Sequence, residues 1–142
     1  MIDVYSMVFD TIYTGLQTGH SDANISSGYI EESAKFPAVV VEEIGNEPYM
    51  RMATDNNCEN YALLTYEVSV YSDKKDTARS ECAALIAAVD DIMQNTMKFQ
   101  RIRKNRPINI SRTIYRQYAR YEVVVREGQT IGQNTVYQMY RR

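Results

Sequence analysis

The sequence predicts an α+β domain of two layers, with helices packed on a mostly antiparallel sheet, from three observations. Residues 73–94 ("DKKDTARSECAALIAAVDDIMQ") place Ala78, Cys82, Leu85, Ile86, Val89 and Met93 on one helical stripe. Residues 62–70 and 115–125 instead alternate apolar and polar side chains with the period of a half-buried strand. The order of such segments along the chain is helix, strands, helix, strands. A chain of 142 residues fits one domain, 1–142, large enough to bury roughly 70% of its unfolded surface in a single core.

The opening "MIDVYSMVFDTIYTGL" repeats Ile2, Tyr5, Val8, Phe9, Ile12, Tyr13 and Leu16 at helical spacing, with Gly19 as a stop. "HSDANISSGYIEESAK" is polar and rich in turn formers, which predicts a loop. "FPAVVVEEIG" holds a β-branched run at 39–44 between Pro37 and Gly45, a central strand. A short strand around 49–53 is compatible with the turn-like ends of "NEPYMRMATDNNCEN". The strand at about 60–72 puts Ala62, Leu64, Tyr66, Val68 and Val70 on one face. The long helix follows, with Ser72 or Asp73 as cap and Asp76 in its first turn. "MKFQRIRKNRPINI" reads as a strand at 97–104 leading to a turn at Pro107. Joined to the strand at 60–72 by one helix, it fits a crossover unit, right-handed if the two are parallel. The strand 112–126 comes next, and a turn at 128–132 introduces the tail "NTVYQMYRR".

Composition is that of an ordinary globular chain, 44% hydrophobic and 24% charged. No apolar run reaches the ~20 residues of a membrane span, and the first residues lack a secretory pattern, so the expectation is a cytosolic protein or one carried in an assembly built there. Cys58 and Cys82 are too few for a disulfide scaffold and are read as reduced structural thiols. The net charge of -2 conceals an asymmetry. Residues 1–97 carry five basic and sixteen acidic side chains, a balance of -11; residues 98–142 carry eleven and two, a balance of +9.

Signatures of catalysis are scarce. The sequence has no Gly-rich phosphate loop, no nucleophile elbow and no CxxC or HExxH metal spacing. His20 stands alone in a predicted loop. The acidic pairs Glu31–Glu32, Glu42–Glu43 and Asp90–Asp91 read as solvated or interfacial faces, and neighbours on a strand such as Glu42 and Glu43 cannot converge on one proton. The two "NIS" sites, at Asn24 and Asn109, match the glycosylation pattern without a signal to support it. Twelve tyrosines against three phenylalanines and no tryptophan suit either protein interfaces or half-buried sheet positions, the latter favoured for Tyr66 and Tyr121.

The strand 112–126 has one conspicuous face. Tyr115, Gln117, Ala119, Tyr121, Val123 and Val125 make a core row, whereas Arg116, Tyr118, Arg120, Glu122 and Val124, extended by Arg112 and Arg126, make the other. Three readings fit this row: nucleic-acid binding through phosphates and base stacking, mating with carboxylates of an adjacent chain, or pairing with glutamates of the same subunit. In the second, Arg112, Arg116, Arg120, Arg126 and Tyr118 face counterparts among Glu42, Glu43, Glu59 and Glu67, since arginine's planar fork binds carboxylate in two-point fashion.

"KFPAVVVEEI", "NYALLTYEVSVYSDKKDTARSECAALIAAVDDIM", "MKF" and "YRQYARYEVVV" together resemble the tail terminator (tail-completion) proteins of long-tailed bacteriophages and related tail-like bacteriocins; minor capsid and neck proteins share the pattern. The resemblance covers residues 35–125 and rests on element order and local wording. It implies a structural virion protein, assembled in the host cytoplasm, that forms a hexameric ring on the head-proximal end of the tail tube. Such a ring stops tube polymerisation and joins tail to neck. The partners implied are other copies of the chain, the tail tube protein, a neck or head-completion protein and the sheath protein, with DNA only passing through the lumen. No active site, cofactor, metal or membrane is implied. A head–tail connector or stopper is the alternative, and a nucleic-acid-binding adaptor a more distant one.

Overall fold

The computed structural model describes residues 2–27, 35–49, 61–131 and 134–141. The chain opens with α1 (Tyr5–Gln17), whose Val8, Ile12 and Leu16 are buried. It continues through β1 (Asn24–Ser27), β2 (Ala38–Pro48) and β3 (Tyr61–Ser72), then α2 (Ala78–Asp91), which runs directly into a π-helical turn at Ile92–Thr96. Four strands close the fold: β4 (Gln100–Lys104), β5 (Ile108–Ser111), the 18-residue β6 (Ile114–Ile131) and β7 (Asn134–Tyr140). The sheet order is β1-β2-β3-β6-β4, with β5 and β7 also paired to β6. Among the described residues only the β1–β2 pair is parallel.

The α+β architecture expected from the sequence is the one observed. Both helices contribute to the same core cluster, with Val39 and Val41 of β2, the Ala62–Val70 row of β3 and the Ala119–Val125 row of β6. The helices therefore cover one face of the sheet. Strands β3 and β4 are both antiparallel to β6, so they run parallel to each other with β6 between them. The expected crossover exists in split form: β3 and β4, joined through α2, flank a later strand.

Several expectations need correction. The polar segment after α1 was expected to be a loop, yet Asn24–Ser27 pairs in register with Ala38–Val41, because a neighbouring β-branched strand supplies the ladder that "NISS" lacks on its own. The long helix starts at Ala78 rather than at residue 73. Asp76 adopts φ 66°, outside the helix, and Thr77 takes the cap position without a side-chain bond. Ser72 instead donates to Glu81 at 2.6 Å and accepts from the Lys74 amide. At the far end Ile92–Thr96 becomes π-helical, and Met97 and Phe99 are buried just beyond it. Pro107 is followed by a strand of its own, β5, and the unplaced tail is a strand on β6. The suggested strand at 49–53, Cys58, and the Glu31–Glu32 pair lie wholly or largely outside the described residues.

Candidate interface on the sheet face opposite the helices

The register of β6 assigns its side chains to two faces as the sequence predicts. Gln117, Ala119, Tyr121, Val123 and Val125 are buried, while Arg116, Tyr118, Arg120 and Glu122 are partly exposed. Cross-strand neighbours complete the outer face: Tyr71, Ser69, Glu67, Thr65 and Leu63 of β3 stand opposite Arg116, Tyr118, Arg120, Glu122 and Val124. Glu42 of β2 stands beyond Glu67, and Val40 beyond Ser69. Val40, Leu63 and Val124 are buried although they belong to this outer face.

Tyr118 is the centre of the site. The guanidinium carbons of Arg116, Arg120 and Arg103 lie 4.9, 5.7 and 5.9 Å from its ring centroid, within the range of cation–π attraction. Glu67 bridges two of these cations: Oε1 is 3.2 Å from Arg116 Nη2 and 3.9 Å from Arg120 Nε. Arg116 Nη2 also donates to Ser69 Oγ at 3.0 Å. Burial leaves the Nε atoms of Arg116 and Arg120 without a hydrogen-bond acceptor. The three guanidiniums around Tyr118 are thus held by stacking on its ring and, for two of them, by ion pairs to Glu67, with Glu122 on the same face two residues beyond Arg120.

The other candidate residues separate. Arg112 is not on the strand: it sits in the tight turn between β5 and β6 at φ 47°, because residues 111–114 reverse the chain there. Arg126 lies farther along the outer face, over the Tyr61 ring at 5.7 Å. Glu43 is turned toward the helices, where it accepts from Tyr66 Oη at 3.1 Å, so it cannot meet the arginine row from this face. Glu42 is exposed on the arginine face. Glu67 is a partner inside the same chain rather than a free counterpart for a neighbour. Glu59 lies outside the described residues.

Sequence reasoning missed Arg103 and misjudged Asp90, for one reason. A bulge at Ile102 breaks the alternation of β4, so that Arg101 opposes Tyr121 and Arg103 opposes Arg120. Arg101 consequently turns to the helix side and pairs with Asp90 at 3.1 Å. Asp90 also accepts from Tyr121 Oη at 2.9 Å and from Gln94 Nε2 at 2.8 Å. It is therefore a tie between α2, β4 and β6 rather than a solvated acid; Asp91, its neighbour, is exposed and accepts only from Asn95 among the described bonds. Burial, and then the adjoining carboxylates, raise the Tyr66 and Tyr121 phenols above the ordinary tyrosine range.

Among the described residues no group of three or more His, Cys, Asp or Glu side chains is placed to hold a metal ion, and no helix is long and apolar enough to cross a membrane. A shallow cleft of about 330 Å³ lies beside the start of α2, lined by Lys74, Lys75, Arg79, Arg112 and Tyr115. What the outer face offers chemically is a set of oriented guanidiniums able to engage carboxylates. No family model matches the chain, and no curated protein matches it at a significant level of similarity.

Proposed function

We propose that the protein is a tail terminator: a structural subunit that assembles head to tail into a ring, hexameric by the resemblance, on the head-proximal end of a phage tail tube. The ring ends tube polymerisation and presents a surface to the neck or head-completion protein. The observation that carries this reading is the separation of charge across one small fold. The acidic half of the chain supplies α1, β1, β2, β3 and α2, and the basic half supplies β4, β5, β6 and β7. The exposed cations Arg103 and Lys104 of β4 lie at the opposite border of the sheet from β1, while Arg101 is tied to Asp90 of α2. A subunit acidic on one side and basic on the other mates with copies of itself in heterologous fashion, and such contacts close into a ring when the rotation permits. The order of elements from Ala38 to Val125 is in keeping with the terminator pattern noted in the sequence.

Tyr118 favours a protein partner over nucleic acid. Its ring is already surrounded by three guanidiniums, so it does not stand free to stack on a base. The test is to assemble particles without this protein. Tails of uncontrolled length that fail to join heads, rescued by adding the protein back, are the expected outcome. Tails of normal length and joining competence in its absence contradict the proposal.

A further inference from the structure

Of the large apolar side chains left exposed among the described residues, five fall into two groups of opposite electrostatic setting, while Ile44 of β2 and Tyr140 of β7 stand apart from both. On the basic border, Ile102 of β4 and Ile108 and Ile110 of β5 are 47%, 53% and 50% exposed. Ile102 and Ile110 occupy the two bulges of these edge strands, positions that re-aim a side chain away from the ladder. Every residue of both strands is exposed. Between residues 98 and 121 the chain carries eight Lys or Arg and no Asp or Glu. On α1, Met7 and Tyr13 are 39% and 49% exposed, beside exposed Asp3 and Asp10. Residues 1–34 carry five Asp or Glu and no Lys or Arg.

These two surfaces lie on different sides of the subunit. Helix α1 sits over the β2 side, where Tyr5 Oη donates to the Val41 carbonyl and Asn46 Nδ2 to that of Ile2; β4 and β5 border β6 at the far side of the sheet. A patch and its complement on different sides of one molecule cannot satisfy each other internally. The cations of β4 also keep two such edges from pairing with each other, since like charges meet across any edge-to-edge contact. An acidic helix with apolar anchors suffers no such repulsion and covers the open edge.

We infer that the outward face of α1, through Met7, Tyr13 and Asp10, docks on the β4–β5 edge of a second copy of this chain, against Ile102, Ile108 and Ile110 and the basic side chains around them. This contact deepens the ring reading by naming the surfaces that join neighbours, and it rests on that reading only for its biological setting. The apolar groups supply the contact, and the charges select its direction and hasten encounter.

The experiment uses the purified full chain, with native mass and sedimentation measured across concentration up to about 0.3 mM, a level at which even weak contacts register. Two double variants alter only exposed positions: Ile108→Asp with Ile110→Asp on the edge, and Met7→Asp with Tyr13→Asp on the helix. The wild type is expected to self-associate, less so as salt rises from about 50 to 500 mM. Each double variant alone, with an unchanged melting curve, weakens association by roughly tenfold or more. Mixed in equal amounts the two variants form a 1:1 pair and nothing larger, because each retains the surface the other has lost. Should an aspartate variant misfold, Lys104→Glu with Arg106→Glu provides a second edge variant for the same mixing test. A wild type that stays monomeric throughout, variants that assemble like wild type, or a mixture that yields no pair overturns the contact. Ring formation on tails by variants lacking this contact leaves the terminator reading standing while this one falls; self-association through this contact, with tails indifferent to the protein, does the reverse.

Discussion

Glu67 carries more of the outer face than any other single side chain. Its carboxylate is 15% exposed and sits between Arg116 and Arg120, which are 31% and 41% exposed. Such partly buried pairs are worth more than surface pairs, yet much of their value lies in the cost of leaving one partner alone. Glu67→Ala is therefore expected to destabilise the fold by about 1–2 kcal/mol in chemical denaturation, and Glu67→Gln by less; a neutral Glu67→Ala means the arginines hold their places without it. By the same geometry, Arg116→Glu with Arg120→Glu would crowd three carboxylates around Tyr118 and disturb the fold of the subunit itself. Cys82 behaves differently. It is buried beneath the carbonyls of Val70 and Tyr115, and burial, then the nearby Glu81, pushes its thiol up to about 11. A pKa raised in the folded state gives stability that is complete below the unfolded value and is lost as pH climbs. The contribution of Cys82 should therefore hold to about pH 9 and fall toward 11, with Tyr66 and Tyr121 adding to the loss above their ordinary value of 10. Urea unfolding at stepped pH checks this, and Cys82→Ala should delay the onset to the tyrosine range.

At the scale of elements, α2 is held by Leu85 and Ile86, both almost fully buried. Truncating either to alanine should cost about 2–5 kcal/mol, and a loss under about 0.5 kcal/mol at both would contradict its place in the core. Where α1 meets the π-helical turn, a Cβ on Gly15 would stand 2.5 Å from Ile92 Cδ1 and 2.9 Å from Cγ1. Alanine in a helix normally stabilises relative to glycine by about 1 kcal/mol. Gly15→Ala should forfeit that gain, with a net change in chemical denaturation under about 1 kcal/mol, because Ile92 Cδ1 must turn aside into the cleft that Thr11, Thr14, Gly15 and Thr96 line beside it. The buried stripe of α2 and the alternation of β3 and β6 were legible in the sequence because each element meets one apolar face over many residues. The bulges at Ile102 and Ile110 were not, since a single inserted residue leaves the written pattern intact while exchanging the faces of everything beyond it. The helix start was misplaced for a related reason: Ser72 and Asp73 have the right chemistry for a cap, but Ser72 is drawn to Glu81 instead. Strands β1 and β7 owe their form to the neighbours they pair with, and the short polar "NISS" announces none of its own.

For the whole molecule, the acidic and basic halves of the chain meet within one sheet, tied to each other through Asp90–Arg101 and Glu67–Arg116, and the proposed head-to-tail assembly draws on the charge left at its two borders. The arginine row, legible in sequence as a feature, proved to be partly neutralised from within by Glu67, a pairing that only the cross-strand register fixes. Arg103 and Arg126 remain exposed on that face, with Glu42 exposed and Glu122 partly exposed beside them. The most direct measurement is a reconstruction of the virion or tail at a resolution that places secondary structure. The account predicts a closed ring of this fold at the head-proximal end of the tube, with α1 of each copy against the β4–β5 edge of the next. Finding the chain elsewhere in the particle, or in a ring whose neighbours touch through neither of those surfaces, would contradict it.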